Sequence, residues 1–230
     1  ADSYNQVAAN LNKGGVAFSD FDADGDLDLF WTDAGTNQIW TNNNNTFSAS
    51  NQPGTSSGVN LAIATIDAET HGDIDLDGDL DLYLANVSGP GFLFVANSNF
   101  NYVQPSSPIN FGINPDGNAN AAAFVDFDND GDLDLYLGVD DAENQLWVNN
   151  LNSPNYVKVR AKWNLSGGVH SPAIGATAEL LDCEGNRISP LLNYAGGEGL
   201  ASSGNSVFHF AVSNPNQKYF LRTMVNSFAL

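Results

Sequence analysis

Along this chain, short apolar runs alternate with polar ones at the period of a β-strand, and no window shows the three-to-four-residue spacing of an amphipathic helix. Leu27 to Trp31, Leu80 to Ala85 and Leu133 to Val139 read as strands. Val16 to Phe18, Leu61 to Ile66 and Ala121 to Val125 read as the strands before them. Asn37 to Trp40, Phe92 to Val95 and Asn144 to Trp147 read as the strands after them, with Thr46 to Ser48 as an outer strand beyond the turn at Asn42 to Asn45. Residues 1–15 are a polar arm or edge strand, 51–60 read as a linker, and 104–120 read as loop from their Pro, Asn and Gly content. In the middle group, Asp67 to Gly72 is expected to separate strand from loop, with His71 at the surface or behind the ligands.

From Tyr156 the pattern changes. Tyr156 to Trp163 alternates strictly and carries Lys158, Arg160 and Lys162 on one face. Ala176 to Leu181, Arg187-Ile188 after the turn at Glu184 to Asn186, Ser206 to Val212 and Tyr219 to Val225 complete a second set of strands. The chain is therefore expected to be all-β, with three antiparallel repeats over residues 1–150 and a β-sandwich-like unit over residues 151–230.

The repeats are visible in the polar positions too. Asp20, Asp22, Asp24, Asp26 and Asp28 alternate along one stretch, with Gly25 breaking the series. Asp73, Asp75, Asp77, Asp79 and Asp81 do the same around Gly78, and Asp126, Asp128, Asp130, Asp132 and Asp134 around Gly131. The copies start 53 residues apart, a fixed period that marks a repeat architecture. A D-x-D-x-D-G-x-x-D loop can wrap a hard cation with carboxylates from positions 1, 3, 5 and 9 and the carbonyl of position 7, while glycine at position 6 allows the sharp turn. The carbonyls of Asp26, Asp79 and Asp132 would then be the ligands, with their side chains pointing outward. Without a cation, two carboxylates about 5 Å apart repel by roughly 3 kcal/mol at an effective dielectric near 20. Oxygen-only ligands select calcium over zinc or copper, and magnesium prefers to keep its waters. Three Ca2+ sites are expected. An EF-hand is excluded because its twelfth position needs a glutamate, and Trp31, Leu84 or Leu137 stands there.

Charge sharpens the division. The formal net charge is −20. Residues 1–150 hold 23 acidic side chains against Lys13 alone, whereas residues 151–230 hold 4 acidic and 6 basic ones. The loops supply 15 of the 27 carboxylates, so much of the acidity is ligand. Three calcium ions would still leave the chain negative, which argues against nucleic acid as a partner. Cys183 is the single cysteine, so no intrachain disulfide forms, and its neighbours Asp182 and Glu184 disfavour a reactive thiolate. No apolar run is long enough for a membrane-spanning helix. A chain beginning at Ala1 without Met is expected to be a mature extracellular or cell-surface form after removal of a signal peptide.

The three aspartate stretches, with Asn37-Gln38-Ile39-Trp40 and Asn144-Gln145-Leu146-Trp147, resemble FG-GAP/VCBS repeats, the β-propeller blades of integrin α subunits and many bacterial surface proteins. The C-terminal unit resembles the ASPIC/UnbV domain that follows such repeats in cartilage acidic protein and its bacterial relatives. There the likeness rests on Tyr156 to Trp163, Ala173-Ile174-Gly175-Ala176, Gly185-Asn186-Arg187, Gly196-Gly197-Glu198-Gly199 and Val207-Phe208-His209-Phe210. Propellers of that kind close with about seven blades and rarely fewer than about four. Three blades must be completed by the C-terminal unit or by neighbouring chains, because exposed sheet edges template pairing.

No catalytic constellation is expected. His71, His170 and His209 are scattered, with His209 on a strand facing solvent or a polar neighbour. Ser202-Ser203-Gly204 lacks a nucleophile elbow, Glu198 sits in a glycine turn, and the paired carboxylates are committed to metal. The resulting expectation is a non-catalytic extracellular structural or adhesive protein. It would self-associate through sheet edges into a filament or surface layer, the polar N-terminal arm and apolar C-terminus (Phe220 to Leu230) being candidates for strand exchange. The alternative is a lectin- or integrin-like surface module that binds a glycan or protein. Trp31, Trp40, Trp147 and Trp163 could then offer stacking platforms, although the repeat positions of Trp40 and Trp147 favour the core.

Overall fold

The computed structural model describes residues 16–31, 38–49, 66–86, 91–97, 102–104, 118–151, 153, 155–164, 167–168, 170–194 and 207–225. These residues form strands, turns and bends, with no helix among them. The first blade is β1 (Val16–Ser19), β2 (Asp28–Trp31), β3 (Gln38–Asn43) and β4 (Thr46–Ala49), hydrogen-bonded in that order. Asn44 and Asn45 join β3 to β4 with φ of 51° and 65°, the two left-handed residues of a type I′ hairpin turn. The second blade is β5 (Ile66–Gly72), β6 (Asp81–Asn86) and β7 (Phe92–Phe94). The third is β8 (Asn118–Val125), β9 (Asp134–Asp140) and β10 (Gln145–Trp147). All pairings within the blades are antiparallel.

Two expectations change here. Asp67 to Gly72 is not a spacer but most of β5, which runs directly into the second loop as β1 and β8 run into theirs. Asn118 to Asn120, read as loop, opens β8. Both strands carry a bulge at equivalent places, Ile66/Ala68 and Ala119/Ala121. The bulge shifts side-chain alternation by one residue, and the apolar-polar signal on which a strand is recognised is lost across it. Residues 1–15, 51–60 and 61–65, Glu198, Ser202 to Gly204 and residues 226–230 lie outside the described residues.

The middle blade is the hub. All six residues of β6 are buried, because blades pack against both of its faces. Leu80, Leu82, Leu84 and Phe94 meet Phe21, Phe30 and Ile39 of the first blade. Ile74, Tyr83, Ala85 and Leu93 meet Phe124, Leu133, Leu135 and Leu137 of the third. Burying each such side chain stabilises the fold by about 2 kcal/mol. Polar contacts fix the blade-to-blade registry. The Phe124 amide donates to Thr70 Oγ1 at 3.1 Å, and Asn149 Nδ2 donates to the Ile74 carbonyl at 2.8 Å.

The C-terminal residues form β11 (Tyr156–Val159), β12 (Lys162–Asn164), β13 (His170–Pro172), β14 (Ala176–Leu181), β15 (Leu192–Asn193), β16 (Phe208–Ala211) and β17 (Phe220–Val225). The strictly alternating run Tyr156 to Trp163 is not one strand. It breaks at Arg160-Ala161, and its halves pair with different partners, β11 with β16 and β12 with β13. A third sheet has the order β15-β14-β17. Ala176, Ala178, Leu180, Phe208 and Phe210 centre this unit's own core, and Leu192 packs against both that core and the one between the first two blades.

Candidate functional site

Each loop joins the first two strands of its blade, and its last aspartate is the first residue of the second strand. Two residues in each loop take left-handed backbone. Gly25, Gly78 and Gly131 have φ of 98°, 103° and 104°, a region only glycine enters readily. Ala23, Leu76 and Asn129, two positions earlier, have φ of 57°, 61° and 65°. For Ala23 and Leu76 this costs about 1 kcal/mol each. The glycine was legible in the sequence, but the residue two before it was not, because Ala, Leu and Asn share no chemistry that marks it.

The turn gathers three carboxylates per loop. Asp20, Asp22 and Asp28 each bring an oxygen to within 4.8 Å of the others, as do Asp73, Asp75 and Asp81, and Asp126, Asp128 and Asp134. These are positions 1, 3 and 9. The position-5 residues Asp24, Asp77 and Asp130 stand outside the clusters and instead accept the amide of position 7, at 2.9, 3.0 and 3.3 Å. The side chains of position 7 were expected outward. Asp26 does reach away from its loop, accepting the Asn44 amide at 2.9 Å. Asp132 does not point outward: it is 1% exposed and accepts the Leu151 amide at 2.8 Å. Packing of the segment after β10 over the third loop encloses it.

Position 9 has a second task that the sequence did not disclose. Asp28 accepts the amides of Phe21 and Asn42, both at 2.8 Å. Asp81 accepts those of Ile74 and Ala96, both at 2.8 Å, and Asp134 those of Phe127 and Asn149, at 2.7 and 2.9 Å. All three carboxylates are buried. Each therefore ties the start of its loop to the third strand of its blade or to the residues just after that strand.

Burial and crowding hold the carboxyls protonated to unusually high pH. Burial pushes Asp20 up to about 6 and Asp28 to about 7. Burial together with Asp75 and Asp77 pushes Asp73 to about 8, and burial with Asp77 pushes Asp75 to about 6. Burial also raises Asp22 and Asp134, and Asp81 well above the ordinary range. A raised carboxyl holds its proton more tightly in the folded chain than in the unfolded one. Its stabilising contribution is complete below about pH 4 and is lost as pH rises through those values. The melting temperature of EDTA-dialysed protein should therefore fall between about pH 5 and pH 8. A metal ion held by the clusters would remove that fall, because a cation favours the ionised form. A flat profile in EDTA would contradict the burial assigned to these groups.

Among the described residues, the C-terminal unit makes hydrogen bonds to the first and third loops. The Leu191 amide donates to Asp20 Oδ2 at 2.8 Å, and Arg187 donates to the Ala23 carbonyl at 3.3 Å while its Nε binds Glu179 at 2.6 Å. On the third loop, the Lys158 ammonium binds Asp126 Oδ2, and His209 Nε2 bonds the Gly131 carbonyl at 2.8 Å. His209 is thus a buried strand residue with a polar neighbour, not a solvent-facing one, and burial pulls its pKa down. Its ring stacks on Tyr156 at 5.6 Å. Lys158, Arg187 and Leu191 were not foreseen as loop partners; the one available signal was the cationic face of the Tyr156 run. His71 is half-buried, its ring edge-on to Phe21 at 5.4 Å. Trp31 is buried and stacks on Trp40 at 5.3 Å, and Trp147 packs on the core, so Trp163 is the exposed tryptophan.

Contact with the C-terminal unit separates the glycines. A Cβ on Gly131 would stand 1.8 Å from Tyr156 Cε1, whereas one on Gly78 meets nothing within 4 Å. Gly78→Ala should cost about 1–2 kcal/mol, from backbone strain alone. Gly131→Ala should cost at least about 2 kcal/mol more, because the ring has to move. Urea denaturation of the two variants reads the difference; equal losses would mean that Tyr156 does not rest on the loop.

The donor set in each loop is oxygen only, which suits a hard cation. In each cluster one carboxylate oxygen is buried without a hydrogen-bond partner: Asp20 Oδ1, Asp75 Oδ1 and Asp126 Oδ1. Ionised oxygens in that state are strongly destabilising unless a cation meets them. Fold and site together define an all-β repeat protein with one cluster of carboxylates, able to hold a metal ion, at the entry to each blade. The FG-GAP-like repeat family matches residues 20–69 and 73–137, together half of the 230-residue chain, and the chain belongs to that family. The matched stretches contain all three loops. No curated protein matches the chain. The VCBS and ASPIC/UnbV likenesses rest on the sequence motifs alone.

Proposed function

We propose that the chain is an extracellular, non-catalytic structural or adhesive protein whose three loops bind calcium and whose sheet edges join it to further copies. The observation that carries this reading is the triple recurrence, at a period of 53 residues, of a carboxylate cluster with a buried, unpartnered oxygen. The ligands in each loop would be the carboxylates of positions 1, 3, 5 and 9 and the carbonyl of position 7. Asp24, Asp77 and Asp130 would turn inward from their amide bonds when the ion enters. Residues 151–230 would act as an ASPIC/UnbV-like unit that caps the first and third loops.

The edges support assembly. Among the described residues, β1 and β17 each pair on one side only. Val16 and Phe18 of β1 are 50% and 45% exposed, and Phe220 and Met224 of β17 are 57% and 52% exposed. Open apolar edges of this kind recruit another chain, and a contact between unlike edges propagates instead of closing. Negative-stain electron microscopy of the purified protein should show filaments or sheets in calcium and their loss in EGTA. Monodisperse single particles in calcium would remove the assembly part of this reading.

A further inference from the structure

A chain with net charge −20 has only seven lysines and arginines, and three of them face one cavity. The cavity holds about 550 Å³ and lies between the third loop and the corner where β11 gives way to β12. Lys158, Arg160 and Lys162 line it, with His209, Asn129 and Asp126. Asp126 is the one carboxylate in that wall, and it already binds Lys158. Arg160 and Lys162 are exposed and have no carboxylate partner among the described residues. His209 is 8% exposed and its Nδ1 is buried without a partner. Clustered cations repel one another, and an anion between them relieves that repulsion.

We propose that this cavity is a binding site for an oxyanion, a sulfate or carboxylate group, and that a cation in the third loop strengthens it. Arg160 and Lys162 would hold the oxyanion through charge-assisted hydrogen bonds, Arg160 presenting its planar fork to two oxygens. Lys158 would add field from the side, steadied by its place over the Tyr156 ring at 5.5 Å. The coupling runs through Asp126, which belongs both to the cavity wall and to the carboxylate cluster. A cation on that cluster offsets the negative charge of Asp126, the one carboxylate among the described residues that line the cavity. By linkage, the anion must then tighten cation binding by the same factor. The site goes beyond the calcium reading and depends on it only for this coupling.

Equilibrium dialysis with labelled sulfate, at fixed ionic strength, tests the site in EDTA and in excess calcium. The expected result is one sulfate per chain, bound roughly fivefold more tightly in calcium. Arg160→Gln/Lys162→Gln changes two exposed side chains and should weaken sulfate at least about tenfold. A sulfated oligosaccharide run in parallel distinguishes the sources. Tighter binding than free sulfate through the same two residues assigns a polymer-borne group, and equal binding assigns a free anion; both support the site. Binding of neither probe, or equal binding by the double variant, overturns it. Sulfate affinity that ignores calcium, in protein shown to bind calcium, overturns the coupling. Failure to bind calcium at all overturns the calcium reading, and the EDTA arm alone then decides the oxyanion site.

Discussion

Chelation of calcium should lower the melting temperature by roughly 15–30 °C. A site held at a calcium concentration a hundredfold above its dissociation constant contributes about 2.7 kcal/mol, so three contribute about 8 kcal/mol. For a chain of this size each kcal/mol moves the midpoint by about 2–4 °C. The geometry of the carboxylate clusters is the reason for expecting so large a shift. Nine carboxylates stand in three clusters, each with its ligand oxygens within 4.8 Å, and several are buried. Cation-free protein at neutral pH must either protonate them or bear their repulsion. Calorimetric scans in calcium and in EGTA give the shift, and superimposable curves would contradict the proposed metal role.

The second large effect is expected at Asp81, the position-9 residue of the hub blade. Asp81→Ala removes two buried amide acceptors at 2.8 Å and leaves the Ile74 and Ala96 amides without them. Each loss costs about 1–3 kcal/mol, for a total of about 4 kcal/mol even without calcium. Asp77→Ala, at an exposed position whose carboxylate accepts the Asp79 amide, should cost under about 1.5 kcal/mol in EGTA but still weaken calcium. The pair thus separates the clamp from the ligand. Equal destabilisation of both variants in EGTA, read by urea unfolding, would show that position 9 acts only through metal.

Much of this was legible in the chain. The period, the glycines and the strand after each loop could be read because each leaves a fixed spacing in the sequence. The carboxylates of positions 1, 3 and 9 converge as that spacing implied. What could not be read depends on contacts distant in sequence. Asp20 meets Leu191, Asp126 meets Lys158, and Gly131 meets His209. Nothing local in Leu191 marks its amide as a partner, since any residue has one. The bulges in β5 and β8 hid strand character in Asp67 to Gly72 and Asn118 to Asn120. The even alternation of Tyr156 to Trp163 concealed a corner, because β11 and β12 keep the same period on either side of it.

The proposed function depends above all on each aspartate loop being a calcium site. Isothermal titration of calcium into EDTA-dialysed protein tests it most directly. The expected result is three ions per chain, falling to two when Asp75→Asn, Asp77→Asn and the neighbouring Asp79→Asn are combined in the second loop. No saturable heat, or a stoichiometry that the combined substitution leaves unchanged, would contradict it.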